Sequence, residues 1–286
     1  MDPNTTKLLR VLLNAYYGSN FATACRFLPE EDAERVKSLN VQSTDFSFAL
    51  KNPEEWLDKI HYSWLAPILA KYSPVIRSLA VASLPDYQSS CIRHYMSLDK
   101  EPPPSKIAKS YFLNEICSQM GVKDVIPEQQ LPESTFRFLA EWDKESLCKL
   151  IDLLSMYDLA EKLKHIVDRR RLRDIYACLN KEHLDYLRIC MHKKEKVASP
   201  SINLDQWKGD PKELEHLLHR RGLVRFGKAL STEPPEVLWH ILHRLDTGRS
   251  AIIKICLQGN EPPAVVHALK QQVQSVIEYL DTKKKP

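Results

Sequence analysis

The chain has 286 residues, 43% of them hydrophobic and 27% charged, with 41 basic against 37 acidic side chains and a formal charge of +4. That apolar share supports a packed core and excludes disorder of the whole chain, while so small a charge excludes the strongly basic balance of a dedicated nucleic-acid binder. Seven glycines, about a third of the usual frequency of roughly 7%, argue against enzymes built on glycine-rich phosphate loops.

The first twenty residues lack the layout of a signal peptide, because Asp2 and Asn4 lead into an apolar stripe of Leu8, Leu9, Leu12, Leu13 and Tyr16 whose spacing predicts a helix. No run of about eighteen apolar residues is present to cross a bilayer. The expected location is therefore cytoplasmic, with any approach to a membrane made through partners. Proline then marks helix starts, since its missing N–H and fixed φ cost nothing at the first helical position. Leu28-Pro29-Glu30-Glu31, Asn52-Pro53-Glu54-Glu55, Ser73-Pro74, Asp210-Pro211-Lys212-Glu213 and Pro234-Pro235-Glu236 all carry that signature. Gly121 after Met120 and Gly222 after Arg221 read as helix ends. Further stripes at Leu147, Leu150, Ile151 and Leu154, and at Val237, Leu238, Ile241, Leu242 and Leu245, keep helical spacing. Alternation with a period of two is nearly absent. The chain reads as all-α.

Two stretches interrupt this pattern. Glu101-Pro102-Pro103-Pro104-Ser105 cannot continue a helix, with Gly121 to Pro132 a second weak region nearby, and Lys194 to Gly209 is polar and linker-like. They divide the chain into helical modules at 1–98, 105–194 and 210–282, and the final Lys283-Lys284-Lys285-Pro286 is expected to fray. Across the first break a skeleton recurs at one offset. Ala82, Leu84, Ile92, Arg93 and Met96 correspond to Ala177, Leu179, Leu187, Arg188 and Met191. A reused helix-turn-helix unit buries one face by stacking and leaves its outer face for partners, which suggests a binding scaffold.

Residues that could carry chemistry are few. His216 with His219, and His240 with His243, have the spacing of metal ligands on two helix faces, but the leucines and isoleucines between them are ordinary amphipathic filling. No metal or other cofactor is expected. The seven cysteines, Cys25, Cys91, Cys117, Cys148, Cys178, Cys190 and Cys256, stand singly with no Cys-x-x-Cys pair, as reduced core thiols do. With no base ordered beside a nucleophile, neither an enzyme nor a small-molecule substrate is expected. Arg169, Arg170, Arg171 and Arg173, with His192-Lys193-Lys194-Glu195-Lys196, put positive charge at the ends of neighbouring helices. Asp168 and Asp174 bracket the arginines and aromatics do not interleave them, so a protein partner fits better than nucleic acid. Trp64 and Trp239 lie in dense apolar stretches and read as core anchors of helical hairpins.

The segment Ser73-Pro74-Val75-Ile76-Arg77-Ser78-Leu79-Ala80-Val81-Ala82-Ser83-Leu84-Pro85-Asp86-Tyr87-Gln88 resembles the helix-turn-helix repeat of FliG, the flagellar switch protein: a proline-started apolar helix closed by Leu-Pro, an acid and Gln. Phe226 to Leu230 and Leu245 to Arg249 resemble a diverged unit of the same ARM-like type. Together these cover less than a third of the chain. The family's middle domain has Glu-His-Pro-Gln before this helix as a docking site, where this chain has Tyr72-Ser73-Pro74-Val75 and keeps only the proline. The charged torque helix of the flagellar family is not recognisable. The resemblance therefore implies a non-motile relative: a cytoplasmic adaptor of a bacterial type III secretion system, similar to the SctK-like component of chlamydial type. It implies ring or platform proteins of that apparatus as partners and Tyr72, Pro74 and Val75 as partner-binding residues. A nucleic-acid-binding helical protein and a secreted effector are the alternatives.

Overall fold

A computed structural model describes residues 3–17, 20–38, 53–122, 125–193, 202–204, 207–259 and 261–284. Among them there is no strand. Fifteen α-helices follow one another: α1 (Pro3–Tyr17), α2 (Phe21–Ala24), α3 (Glu30–Ser38), α4 (Pro53–Lys59), α5 (Tyr62–Leu69), α6 (Pro74–Ser83), α7 (Asp86–Met96), α8 (Lys106–Gln119), α9 (Lys144–Leu163), α10 (Arg169–Cys178), α11 (Lys181–His192), α12 (Pro211–Ala229), α13 (Pro235–Arg244), α14 (Thr247–Leu257) and α15 (Pro263–Lys284). Every proline-marked start opens a helix, and Asp210 adds a cap by accepting the Lys212 N–H at 3.2 Å. Lys283 and Lys284 continue α15, whereas Lys285 and Pro286 lie outside the described residues.

The chain forms two compact units, Met1–Leu57 and Asp58–Pro286. In the first, Cys25, Ala33 and Val36 make a small core under Leu9, Leu13, Phe21 and Leu28; the Tyr16 side chain lies outside the described residues. In the second, α9 is the central element. It is buried from Leu150 to Ala160 save half-buried Asp152 and packs against α11, α12 and α15, and a helix apolar on nearly every side belongs in a core. Around it one hydrophobic cluster runs from Leu131 to Leu280.

The module boundaries expected at 98–105 and 194–210 fall within this second unit. The proline run does end the helical pattern, but α8 folds back onto α5 and α6. Residues 194–201, 205 and 206 lie outside the described residues, and the flanking Ile202, Leu204 and Trp207 are buried in the large cluster. Gly222 also differs from expectation. It lies inside α12, buried, where an added Cβ would stand 1.9 Å from the carbonyl oxygen of Ile151. Its missing side chain allows α12 to approach α9. Gly121, with φ of +69°, does follow the end of α8 as a left-handed residue should.

The recurrent skeleton has a structural counterpart with a third copy. First helices run Pro74–Ser83, Arg169–Cys178 and Pro235–Arg244, and second helices begin at Asp86, Lys181 and Thr247. In each, two residues join the helices: a buried leucine in extended conformation (Leu84, Leu179, Leu245) and then an N-cap (Pro85, Asn180, Asp246). Asn180 and Asp246 accept the N–H three residues on, at 2.8 and 3.0 Å. The first and third copies share a further staple: Ser89 Oγ donates to Val81 O at 2.8 Å and Ser250 Oγ to Leu242 O at 2.6 Å. Ile92, Leu187 and Ile253 fill one equivalent buried position.

Candidate interaction surface

Tyr72, Pro74 and Val75 stand at the start of α6, where the chain turns out of α5. Arg77, one turn into α6, reaches back and donates from Nε to Leu69 O at 3.1 Å and from Nη2 to Ala70 O at 3.1 Å and Tyr72 O at 2.9 Å. The guanidinium thereby gathers the carbonyls at and just after the end of α5, adding to the Tyr72 N–H that Leu69 O accepts at 3.2 Å, and fixes the turn. On this held edge Val75 is 72% exposed and Ile76 44%. Tyr72 is half-buried, its hydroxyl accepting from Gln119 Nε2 at 3.1 Å and its ring 6.5 Å from Phe112, which in turn meets Tyr111 edge-on at 5.5 Å. Burial raises the Tyr72 hydroxyl pKa. The surface continues along α8 through Ile107 and Tyr111, both exposed. Sequence reasoning missed these two residues, because α8 carries apolar residues on several faces and its pattern does not say which face is free.

The arginines take up the equivalent edge of the second hairpin. Arg169, Arg170 and Arg173 are exposed on α10, and Asp168 caps the helix by accepting the Arg170 N–H at 2.8 Å. Arg171 differs from its neighbours: it turns inward and donates from Nη2 to the carbonyl of Leu204. It anchors the Ile202–Leu204 segment rather than facing a partner. In the basic cluster that follows, Lys193 donates to the Tyr157 hydroxyl at 2.9 Å, while Lys194, Glu195 and Lys196 lie outside the described residues.

The histidines and tryptophans form internal junctions. His219 Nδ1 is 2.6 Å from Asp152 Oδ1, and its Nε2 accepts from Arg249 Nε at 2.7 Å. His240 Nε2 meets Ile126 O at 2.8 Å, His243 Nδ1 meets Trp239 O at 2.7 Å, and His216 is exposed. Among the described residues no three metal-binding side chains converge. Trp64 donates from Nε1 to Leu245 O at 2.9 Å and lies 4.3 Å from the His243 ring, which stacks on Trp239 at 4.1 Å. Trp64 therefore pins α5 to the α13–α14 hairpin, and Trp239 backs the His243 ring that it packs against. Burial lowers the His243 pKa to about 4, and burial followed by the nearby charge of Lys144 lowers that of His61 to about 4. The described thiols that are shifted hold their protons more tightly than usual: burial pushes Cys117 up to about 11 and Cys190 up to about 12, with Cys148, Cys178 and Cys256 moved the same way. None of these five is an activated nucleophile.

No described helix is long and apolar enough to cross a membrane. Comparison with family models, with characterised proteins and with solved structures finds no match.

Proposed function

We propose that the protein is a non-enzymatic adaptor whose helical hairpins present outer edges to protein partners, in the cytoplasm of a bacterium at a type III secretion apparatus. The observation that carries the binding role is Val75, an aliphatic side chain 72% exposed on a turn that three guanidinium hydrogen bonds hold in place. An exposed aliphatic side chain on a pre-ordered edge gains from being covered by a partner, because the ordering cost is already met before the partner arrives. The type III assignment rests on the resemblance of Ser73 to Gln88 to the FliG repeat, and ring or platform proteins of that apparatus are the partners it names.

The test is Val75→Glu. An exposed acid in the first turn of a helix favours the helix dipole, so the melting temperature should stay within about 2 °C, as for other surface changes. Co-purification of ring and platform proteins from the native bacterium, followed by mass spectrometry, should be lost in the variant. Capture unchanged by the substitution would remove this edge as the docking site.

A further inference from the structure

In the third hairpin the outer edge is already occupied, and what occupies it shows what the second hairpin is shaped to take. The first turn of α5 sits on the α13–α14 corner: His61 N–H donates to His243 O at 2.8 Å, Trp64 Nε1 to Leu245 O at 2.9 Å, and Ser63 Oγ accepts from Thr247 N–H at 3.0 Å. The Trp64 ring lies against His243, with Lys254 Nζ 4.7 Å from its centroid. The seat is thus a helix side, one carbonyl from the last turn of the first helix and one from the linker, the first N–H of the following helix and a cation from that helix.

Because the hairpins keep identical helix starts and linkers, each part has an equivalent sixty-six residues earlier. His243 and Lys254, which meet Trp64, correspond to Ala177 and Arg188, and Glu236 and Trp239, two turns and one turn before His243 on α13, correspond to Arg170 and Arg173; all four residues of the second hairpin are exposed. Arg188 meets Asp185 at 3.4 Å, its side chain remaining 77% exposed. Ala177 replaces the imidazole with a methyl group and so leaves room for a ring. Three arginines near the positive end of α10 also oppose both the helix dipole and one another, a cost that an anionic partner relieves.

We infer that the α10–α11 corner is a docking seat for the first turn of a partner protein's helix, one carrying an aromatic residue flanked by carboxylates. The aromatic side chain lies over Ala177 between Arg173 and Arg188, as Trp64 does beside Lys254, and the carboxylates pair with Arg170 and Arg173. Acidic residues are at home in a helix's first turn, which makes the charge match a natural one. Nucleic acid fits less well. The four exposed arginines, Arg169, Arg170, Arg173 and Arg188, release few counterions, which gives only weak binding to phosphates, and exposed Asp168 and Asp174 flank the row. This inference rests on the adaptor reading and adds the chemistry of one partner segment.

The experiment is a fluorescence-anisotropy titration of the full-length protein with a labelled, helix-stapled peptide beginning Asp-Glu-Glu-Trp-Leu. Saturable binding is expected. It should weaken about tenfold or more in Arg173→Glu with Arg188→Glu, at an unchanged melting temperature, and also when the peptide's Trp becomes Ala or its Glu residues become Gln. Val75→Glu should leave the titration untouched. Absence of binding, or equal binding by wild type and the double variant, overturns the seat, as does binding of polyuridylate that the double variant loses while the peptide fails to bind. If Val75-dependent capture of partners survives such a result, the adaptor reading stands without this seat; if both fail, the adaptor reading falls with it.

Discussion

A methyl group at Gly222 would lie 1.9 Å from the carbonyl oxygen of Ile151, far inside contact distance, and the obstruction is backbone that cannot rotate aside. Gly227 repeats the device on the other side of α12, where a Cβ would stand 2.8 Å from that of Cys256 and 3.2 Å from Cα of Ile253. Alanine in a helix is ordinarily worth up to about 1 kcal/mol over glycine. Here the overpacking, about 1–3 kcal/mol and occasionally more, should outweigh that gain. Gly222→Ala is expected to lower the urea midpoint of unfolding without changing the slope. A stabilised variant would show that α12 can shift away from α9. The buried charges on the same helix act differently. Burial alone would raise the Asp158 carboxyl pKa, but hydrogen bonds and charge from Arg225 and Arg221, at 2.5 and 2.8 Å, outweigh it and hold the group below its usual range. Arg225 also donates to Gln272 Oε1 at 2.5 Å, so α9, α12 and α15 share one polar lock.

At the level of elements, the three hairpins show how a short sequence code yields one geometry. A leucine that must be buried sits one residue after the first helix, and the residue that follows starts the next helix, so the linker can only be extended and two residues long. The serine staple adds to this in the outer copies, where Ser89 and Ser250 tie the second helix to a carbonyl near the end of the first. The middle copy has Leu184 at that place. Ser89→Ala and Ser250→Ala should each cost about 1 kcal/mol, the net worth of a buried hydrogen bond, measured by thermal or urea unfolding. A change below about 0.3 kcal/mol would mean that the hydroxyls merely accompany the turn.

Across the second unit, buried ionisable side chains tie distant segments together and make stability depend on pH. Glu128 receives Lys59 at 2.5 Å and Arg244 at 2.8 Å, and Glu233 receives Lys270 at 2.5 Å and the Phe136 N–H at 3.2 Å. The clearest pH dependence comes from His61 and His243, each lowered to about 4. Their folded pKa lies below the unfolded value of about 6.5, so the unfolded chain binds more protons between those limits. Stability from these groups is fully present above pH 6.5 or so and is lost as pH falls toward 4, by about 2–3 kcal/mol for each imidazole. Below that, protonation of Asp158 and Asp246 removes more, since both are held below the usual carboxylate range: the arginine hydrogen bonds and charge outweigh a burial effect of opposite sign. Urea unfolding followed from pH 7.5 to 4.5 should show the loss, and His243→Gln should flatten it. A flat profile in the wild type would mean that neither imidazole is desolvated in solution.

The sequence alone determined the helical class, the proline-marked starts and the leucine-centred repeat, because these depend on φ restriction, capping and apolar spacing within a few residues of each other. It also made the Arg169–Arg173 cluster visible as charge. What it could not determine is which side of each helix remains free. Val75 and Ile76 share the apolar character of Val237, yet Val237 is buried while they are exposed, and Arg171 has the same chemistry as Arg170 but is used inside to hold Leu204. Gly222, in the position of a helix stop, became a point of close helix approach. The polar stretch after Lys193 resembled a linker although Ile202, Leu204 and Trp207 reach the core. In each case the outcome depends on an element tens of residues away that covers or approaches the side chain, and only the tertiary packing decides that.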